Sequence, residues 1–275
     1  MKAPAFAYAK ARSLAEAFEL IERPGARILA GGQSLIPSLN MRLAAPELLV
    51  DITGLKDLRS IDLRPGGLRI GALATHTEIE KSDQVAKYAP LLAQAAPHIA
   101  HPAIRNRGTL GGSLALADPA AEYPACAVAL NATIVLAHRR GERRVPASKF
   151  FKALFETDIR PGEIVAGAEF PKVERSVFLE LTRRHGDYAI VGLAGVADAS
   201  GRRIAYFGVG ATPVYAENAS RAVSLNTALE VLGRDLQPAA DLYHSSATKL
   251  HLAKVLLSRA WNTLSKPHCR STASR

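Results

Sequence analysis

The fold is decided by a strand-to-helix turn near the start of the chain, Leu29-Ala30-Gly31-Gly32-Gln33-Ser34-Leu35. A short apolar run at residues 26–30 predicts a strand before this turn, and residues 35–43 predict a helix after it. Paired glycines allow the backbone to approach a ligand closely, and the amides that follow them point outward. The turn therefore predicts a site for an anionic group.

A second glycine pair lies further along the chain, in Arg105-Asn106-Arg107-Gly108-Thr109-Leu110-Gly111-Gly112-Ser113. Both pairs have small hydroxyl side chains beside them, and hydroxyls together with free amides bind phosphate oxygens. Neither loop has the Gly-x-Gly-x-x-Gly pattern of a Rossmann dinucleotide site or the Gly-Lys-Ser/Thr of a P-loop. We expect the two loops to bind one phosphate-bearing cofactor together, in a site that is neither a Rossmann site nor a P-loop.

The segments around the first turn predict a small α/β unit. Ser13-Leu14-Ala15-Glu16 has the pattern of a capping box and opens a helix that reaches about residue 21. A second buried strand is expected at 48–52, parallel to the first. The next segments predict a strand at 67–73, a capping box at 75–78 before a short helix, an apolar helix at 90–99, and strands at 133–137 and 164–170.

From about residue 173 the pattern becomes antiparallel. Strands are expected at 177–181, 189–197 and 204–209, with a hairpin turn at Ser200-Gly201 and two helices closing the chain. The last helix carries an apolar stripe at helical spacing, which is typical of a core face: Leu250, Ala253, Leu257, Ala260, Trp261 and Leu264. Residues 266–275 are expected to be a disordered basic tail.

The composition excludes several classes of protein. A chain of 275 residues holds two or three subdomains, and no apolar run approaches the roughly 18 residues that span a bilayer. The N-terminus lacks the apolar region of a signal peptide, so we expect a cytoplasmic protein without a transmembrane segment, in the cytoplasm or at the inner face of the membrane. The two cysteines, Cys126 and Cys269, cannot supply the four ligands of an iron–sulfur cluster, and the histidines show no metal-ligand spacing.

The net charge of +10 raises the question of nucleic acid. Part of the charge lies in the tail and part in Arg139-Arg140-Gly141-Glu142-Arg143-Arg144, where a hairpin turn is expected. No zinc finger, helix-turn-helix or aromatic-rich RNA motif accompanies it. We therefore expect no nucleic-acid partner; an acidic protein or an anionic cofactor would use the same charge.

Beyond the two glycine loops, Ala30 to Pro37 and Ile104 to Ser113, four further stretches stand out: Asp118-Pro119-Ala120-Ala121-Glu122-Tyr123-Pro124, Phe150-Phe151, Glu163-Ile164-Val165 and Arg183-Arg184-His185-Gly186-Asp187-Tyr188-Ala189. Together, in this order and at this spacing, they resemble one family, the FAD-binding medium subunit of the molybdenum hydroxylases, which include carbon monoxide dehydrogenase and xanthine dehydrogenase. The resemblance covers residues 1 to 265.

The resemblance implies an α+β fold: a vanillyl-alcohol-oxidase-like (PCMH-type) FAD-binding domain in two subdomains, then a C-terminal α+β domain of antiparallel sheet and helices. The expected limits are 1–55, 56–172 and 173–265. By resemblance, FAD contacts would come from Leu29, Ala30, Gly31, Gly32, Gln33, Ser34, Leu35, His101, Ile104, Thr109, Gly111, Gly112, Ser113, Glu122, Ile159 and Tyr188. Without the resemblance, Glu122 is an acid at a helix start and Tyr188 a half-buried strand aromatic.

The same resemblance implies an electron-transfer role and no catalytic residue beyond the flavin. Electrons would come from a large molybdenum-cofactor subunit through the [2Fe-2S] clusters of a small subunit, reach FAD in this chain and leave to an external acceptor. The sequence departs from the family after Phe150-Phe151, where Lys152-Ala153-Leu154 stands in place of a usual glycine. Two alternatives stay open: a stand-alone FAD oxidase or reductase of the same fold, and a basic binding module without a cofactor.

Overall fold

The computed structural model describes residues 2–265, and the expectations for the tail and for Cys269 lie outside this range. The first sheet is parallel, in the order β1-β3-β2, and consists of β1 (Ala7–Lys10), β2 (Ala26–Leu29) and β3 (Leu48–Asp51). It carries helices α1 (Leu14–Ile21) and α2 (Leu35–Asn40). The predicted parallel pairing of residues 26–30 with 48–52 is confirmed.

The second sheet is antiparallel, in the order β4-β5-β10-β6-β7. Its strands are β4 (Ile61–Arg64), β5 (Gly67–Gly71), β6 (Thr133–His138), β7 (Gly141–Pro146) and β10 (Ile164–Pro171), and a separate hairpin contains β8 (Phe151–Ala153) and β9 (Glu156–Thr157). Its helices are α3 (His76–Lys81), α4 (Asp83–Tyr88), α5 (Pro90–Ala95), α6 (Pro102–Arg105), α7 (Leu110–Leu116), α8 (Glu122–Ala129) and α9 (Ala147–Phe150).

The third sheet is also antiparallel and follows chain order, with β11 (Arg175–Leu181), β12 (Val191–Asp198), β13 (Gly201–Phe207) and β14 (Val214–Tyr215). Helices α10 (Glu217–Arg221), α11 (Leu225–Asp235) and α12 (Ser246–Ser265) follow. The predicted stripe on the last helix is confirmed: Ala253, Leu257, Ala260, Trp261 and Leu264 are buried, and Leu250 packs beside them.

Three hydrophobic clusters hold these layers together. The first packs α1 and β3 against one face of the five-stranded sheet. The second lies between the other face of that sheet, helices α3–α5, α7 and α8, and one face of the third sheet. The third packs the opposite face of the third sheet against α10–α12. Helix α8 is therefore buried between two sheets, which places its N-terminal end where the second and third layers meet.

Several local predictions are wrong at the level of single elements. Glu16 does not close a capping box, because its carboxylate accepts hydrogen bonds from the backbone and guanidinium of Arg12 instead. The helix expected over 35–43 ends at Asn40, and Arg42 has a positive φ of 57°. No strand is predicted in the stretch 54–65, but the structure has β4 there.

The arginines expected at a hairpin turn lie at the β6–β7 hairpin and are paired with acids. Arg139 contacts Glu22, Arg143 contacts Asp158 and Glu163, and Arg144 contacts Glu169. These ion pairs account for much of the local basic charge without a ligand. No helix in residues 2–265 is long and apolar enough to cross a membrane.

Candidate functional site

The two glycine loops touch each other, although they are far apart in the sequence. A Cβ atom built on Gly31 would lie 2.0 Å from the carbonyl oxygen of Arg107 and 3.0 Å from the Cα atom of Gly108. Only glycine allows this approach of one backbone to another. The structure therefore brings the two predicted loops together at one place.

The first loop presents a run of free backbone donors. Within the part of the chain that the structure describes, the N–H groups of residues 31–35 have no hydrogen-bond partner. Gly32 has a positive φ of 74°, and the Gln33 side chain donates to the carbonyl oxygen of Gly31 over 3.0 Å. Consecutive free amides around a left-handed residue form a concave site for an anion. The Ser34 side chain makes no cap and leaves its hydroxyl available.

The second loop is arranged differently, because most of its amides are already used. Gly111 donates to the carbonyl oxygen of Ala72 (2.8 Å), Gly112 to Oγ1 of Thr109 (3.1 Å), and Ser113 to the carbonyl oxygen of Thr109. Gly111 is a packing glycine, since a Cβ atom there would lie 2.5 Å from Cβ of Ala72. The exposed surface of Gly112 and the Ser113 hydroxyl are what this loop offers a ligand. The second loop thus mainly supports the first loop, through the close contact of Arg107 and Gly108 with Gly31.

Arg105 fixes the approach to the second loop. Its buried guanidinium donates to Glu80 over 3.0 Å and to the carbonyl oxygens of Pro97, Ile99 and Ala100. Ala100 has a positive φ of 43° and leads into His101, which occupies the N-cap position of the short helix α6 without a side-chain hydrogen bond to it. The sequence did not predict this structural role, since an arginine beside a glycine loop is more readily interpreted as a ligand contact than as a residue that holds the neighbouring backbone.

His76 lies directly beneath the second loop. A Cβ atom on Gly108 would be 2.7 Å from its ring, and the ring packs edge-on against Tyr123. Burial, followed by the charge of Arg105, lowers the pKa of His76 to about 4. The imidazole is therefore neutral at pH 7, and its Nδ1 atom and the Tyr123 hydroxyl have no hydrogen-bond partner among the described residues.

This burial predicts an acid-sensitive contribution to stability. The unfolded chain binds a proton at His76 near pH 6.5, whereas the folded chain does so only near pH 4. The stabilisation is therefore complete above pH 6.5 and is lost as the pH falls towards 4, by about 2 kcal/mol between pH 7.5 and 5.0. Urea unfolding at both pH values should show a smaller decrease for His76→Asn than for wild type; equal decreases would contradict the assignment.

The carboxyl groups of Asp118, Glu122 and Glu180 lie near one another where helix α8 meets the third sheet, and we call this place the acidic cleft. Glu122 is the first residue of α8, and burial, with the charges of Glu180 and Asp118 adding to it, raises its pKa to about 8. Glu180 is buried and has Oε1 3.2 Å from Nδ1 of His98. Tyr188 lies at the exposed edge of this cleft, where partial desolvation, followed by the charges of Asp118 and Glu122, raises its pKa.

The structure places the other predicted residues at separate positions. Tyr188 is 75% exposed and lies outside the strands, so the interpretation as a half-buried strand aromatic is wrong. His101 packs on Gly186, whose Cβ position would be 2.8 Å from the ring. Ile159 follows β9, which packs against α7, and the Ile104 carbonyl oxygen accepts from the Gly108 amide over 2.7 Å.

Two family models match the chain, and the boundary between them falls between the second and third sheets. Residues 4–173 match the FAD binding domain in molybdopterin dehydrogenase, and residues 176–264 match the CO dehydrogenase flavoprotein C-terminal domain. The chain is 36% identical to the glyceraldehyde dehydrogenase medium chain of Sulfolobus acidocaldarius, over 95% of this chain and 99% of that one. It is 41% identical to subunit alpha of the 6-hydroxypseudooxynicotine dehydrogenase complex of Paenarthrobacter nicotinovorans, over 80% and 78%.

A solved structure of carbon monoxide dehydrogenase from Hydrogenophaga pseudoflava superimposes with a TM-score of 0.91 at 34% identity, covering 96% of this chain and 98% of that one. Quinoline 2-oxidoreductase from Pseudomonas putida 86 gives 0.90 at 37% identity, with coverage of 96% and 98%. The fold is thus that of an FAD-binding domain followed by a C-terminal α+β domain, as predicted. The chain belongs to the FAD-binding medium subunits of the molybdenum hydroxylases, and it is an oxidoreductase subunit.

Proposed function

We propose that this chain is the electron-transfer subunit of a molybdenum hydroxylase. Bound FAD would supply the redox chemistry, accepting electrons and passing them on. Electrons would arrive from [2Fe-2S] clusters of a small partner subunit, and a large partner subunit would hold the molybdenum cofactor. The chain has two cysteines, too few for one cluster, so the clusters belong to a partner. The final acceptor is an external molecule.

The observation that carries the proposal is the pair of touching loops. Five consecutive free amides at 31–35 offer donors for pyrophosphate oxygens, and the close contact of Gly31 with Arg107 holds them in place. The remaining cofactor contacts that we propose are the hydroxyl of Ser113, the surface of Gly112 and the cleft that contains Glu122 and Tyr188. A protonated Glu122 would donate a hydrogen bond there at neutral pH.

We also propose the division of the chain into units at 1–55, 56–172 and 173–265. The three larger sheets support it, since each of them is built from strands of one unit alone. The acidic cleft lies between the second and third of these units. Relative movement of these units would therefore change access to the cleft.

Affinity purification of the tagged chain from its source organism tests the function. We expect a large and a small subunit to copurify, with molybdenum, iron and flavin in the complex and with flavin absorbance bleached on adding the substrate of the large subunit. A yellow chain that purifies alone and is bleached directly by an organic substrate would instead make it a stand-alone flavoenzyme. A colourless chain that binds DNA in a salt-dependent way would make it a basic binding module.

A substitution at Gly112 tests the cradle. Gly112→Val places a branched side chain on the exposed first turn of α7 and a Cβ atom 2.9 Å from Oγ1 of Thr109. We expect purified complex with little flavin, because the pyrophosphate can no longer approach the backbone. Ala115→Val is the matched control, since it makes a β-branched change at an exposed position of the same helix and should retain flavin. A full flavin spectrum in Gly112→Val would disprove the placement.

A further inference from the structure

A second candidate site lies at the opposite end of the third sheet from the acidic cleft. An open pocket of about 410 Å³ is lined there by Arg175, Arg202, Arg221, Asp198, Ser220 and Ser265, among others. Arg175 begins β11, whereas Tyr188 belongs to the loop that follows the other end of that strand. Seven residues of extended strand separate the two ends by roughly 20 Å. The pocket is thus distinct from the cleft.

Strand register places two of these arginines in one row. Arg175 is paired with Ala197, and Ala197 is paired with Arg202, so the three side chains point to the same face of the sheet. The neighbouring rows on this face are apolar and pack under the C-terminal helices. Ala197 is small and buried, which leaves space between the two guanidinium groups. The two arginines therefore lie at the edge of the apolar sheet face that packs against the C-terminal helices.

Each of the two arginines has buried donor atoms that no described residue satisfies. Nε and Nη1 of Arg175 and Nε of Arg202 are buried and have no hydrogen-bond partner among residues 2–265. Arg202 also stacks on Trp261 and donates to Ser265 over 3.1 Å and to the carbonyl oxygen of Ala222. Burial and the charge of Arg175 lower the pKa of Arg202. Two like charges held together with unsatisfied donors cost free energy that a bound anion would recover.

Asp198, the acidic residue that lines the pocket, has its Oδ1 atom occupied by Ser200 rather than by either arginine. Asp198 Oδ1 accepts hydrogen bonds from the backbone and hydroxyl of Ser200, as in a turn. Arg221, at the rim, pairs with Glu217 over 2.8 Å. Ser220 accepts from the backbone of Ile204, which leaves its own O–H free to donate. The lining is therefore rich in donors.

We propose that this pocket binds a small organic oxyanion, either a phosphate ester or a polycarboxylate. Forked guanidinium groups match the geometry of phosphate and carboxylate oxygens. The volume exceeds that of one phosphate ion, which leaves room for the rest of an organic molecule. A bound oxyanion would join β11, the β12–β13 hairpin and α12, so binding would stabilise the third layer of the molecule.

The test uses the full chain saturated with FAD, so that the glycine loops are already occupied. Thermal unfolding and calorimetric titration are run with inorganic phosphate, with citrate and with chloride at equal ionic strength. We expect phosphate or citrate to raise the melting temperature more than chloride does. A stronger response to phosphate points to a phosphate ester, and a stronger response to citrate points to a polycarboxylate.

Arg175→Gln is the decisive variant because it removes unsatisfied donors and a repelled charge. In chloride it should melt at the wild-type temperature or above, and its affinity for the responding anion should fall by at least about tenfold. Arg175→Lys, which keeps the charge without the fork, should recover part of that affinity. Arg23→Gln removes one exposed charge elsewhere and should behave as wild type. An anion response no larger than that of chloride, or one unchanged in Arg175→Gln, would overturn the proposal.

Discussion

Gly31→Ala should reduce FAD affinity by at least about tenfold. The added Cβ atom would lie 2.0 Å from the carbonyl oxygen of Arg107, and both partners are backbone, so neither can rotate away. The loops must separate by about 1 Å, and overpacking of this kind costs about 1–3 kcal/mol. Because the free amides at 31–35 are held in place by this contact, the strain falls on the proposed pyrophosphate site.

Flavin content is the measurement for this variant. The ratio of visible flavin absorbance to protein absorbance should fall in the purified complex, and added FAD should restore it only at raised concentration. Gly233→Ala is the control: it lies in helix α11, where the nearest atom is 3.8 Å away and alanine favours the helix. Gly31→Ala with a wild-type flavin ratio and affinity would show that the two loops do not form the cofactor site.

Local sequence patterns predicted those features that depend on local interactions. The glycine turn at 31–32 lies between β2 and α2, and Thr75 with Glu78 forms a complete capping box. The same pattern failed at Ser13, because Arg12 lies next to the capping serine and its guanidinium takes the Glu16 carboxylate. Arg59 also pairs with Glu78, but through the other carboxylate oxygen, so the box at Thr75 stays complete. A nearby cation therefore disrupts the motif only where it draws the whole carboxylate away from the cap.

Contacts between distant segments were less accessible to sequence reasoning. Strands β1 and β4 are short edge strands with exposed residues such as Tyr8 and Leu63, so no apolar alternation marks them. The contact of Gly31 with Arg107 followed only from the expectation that both loops share a ligand. The pairing of Arg175 with Arg202 depends on the register of three strands, and no local pattern encodes it.

Arg105→Ala is expected to be the most destabilising of the substitutions considered. The guanidinium satisfies three backbone carbonyl oxygens and Glu80 in a buried position. Removing it leaves these acceptors without donors and Glu80 without its cation, so we expect the free energy of unfolding to fall by about 3–5 kcal/mol. Urea unfolding of the FAD-free chain measures this loss apart from any effect of cofactor binding.

Two matched variants separate the effect of losing the Arg105 hydrogen bonds from the effect of losing a positive charge. Arg12→Ala removes an exposed ion pair with Glu16 and should cost at most about 1 kcal/mol. Arg105→Lys keeps the charge but cannot reach Glu80 and the carbonyl oxygens of residues 97, 99 and 100 together, so it should restore only part of the stability. If Arg105→Ala costs no more than Arg12→Ala, these hydrogen bonds do not hold the segment. The segment that Arg105 holds includes Ala100 and leads to His101, and both pack on Gly186. We therefore expect the Arg105 hydrogen bonds also to hold the loop that carries Tyr188 in place.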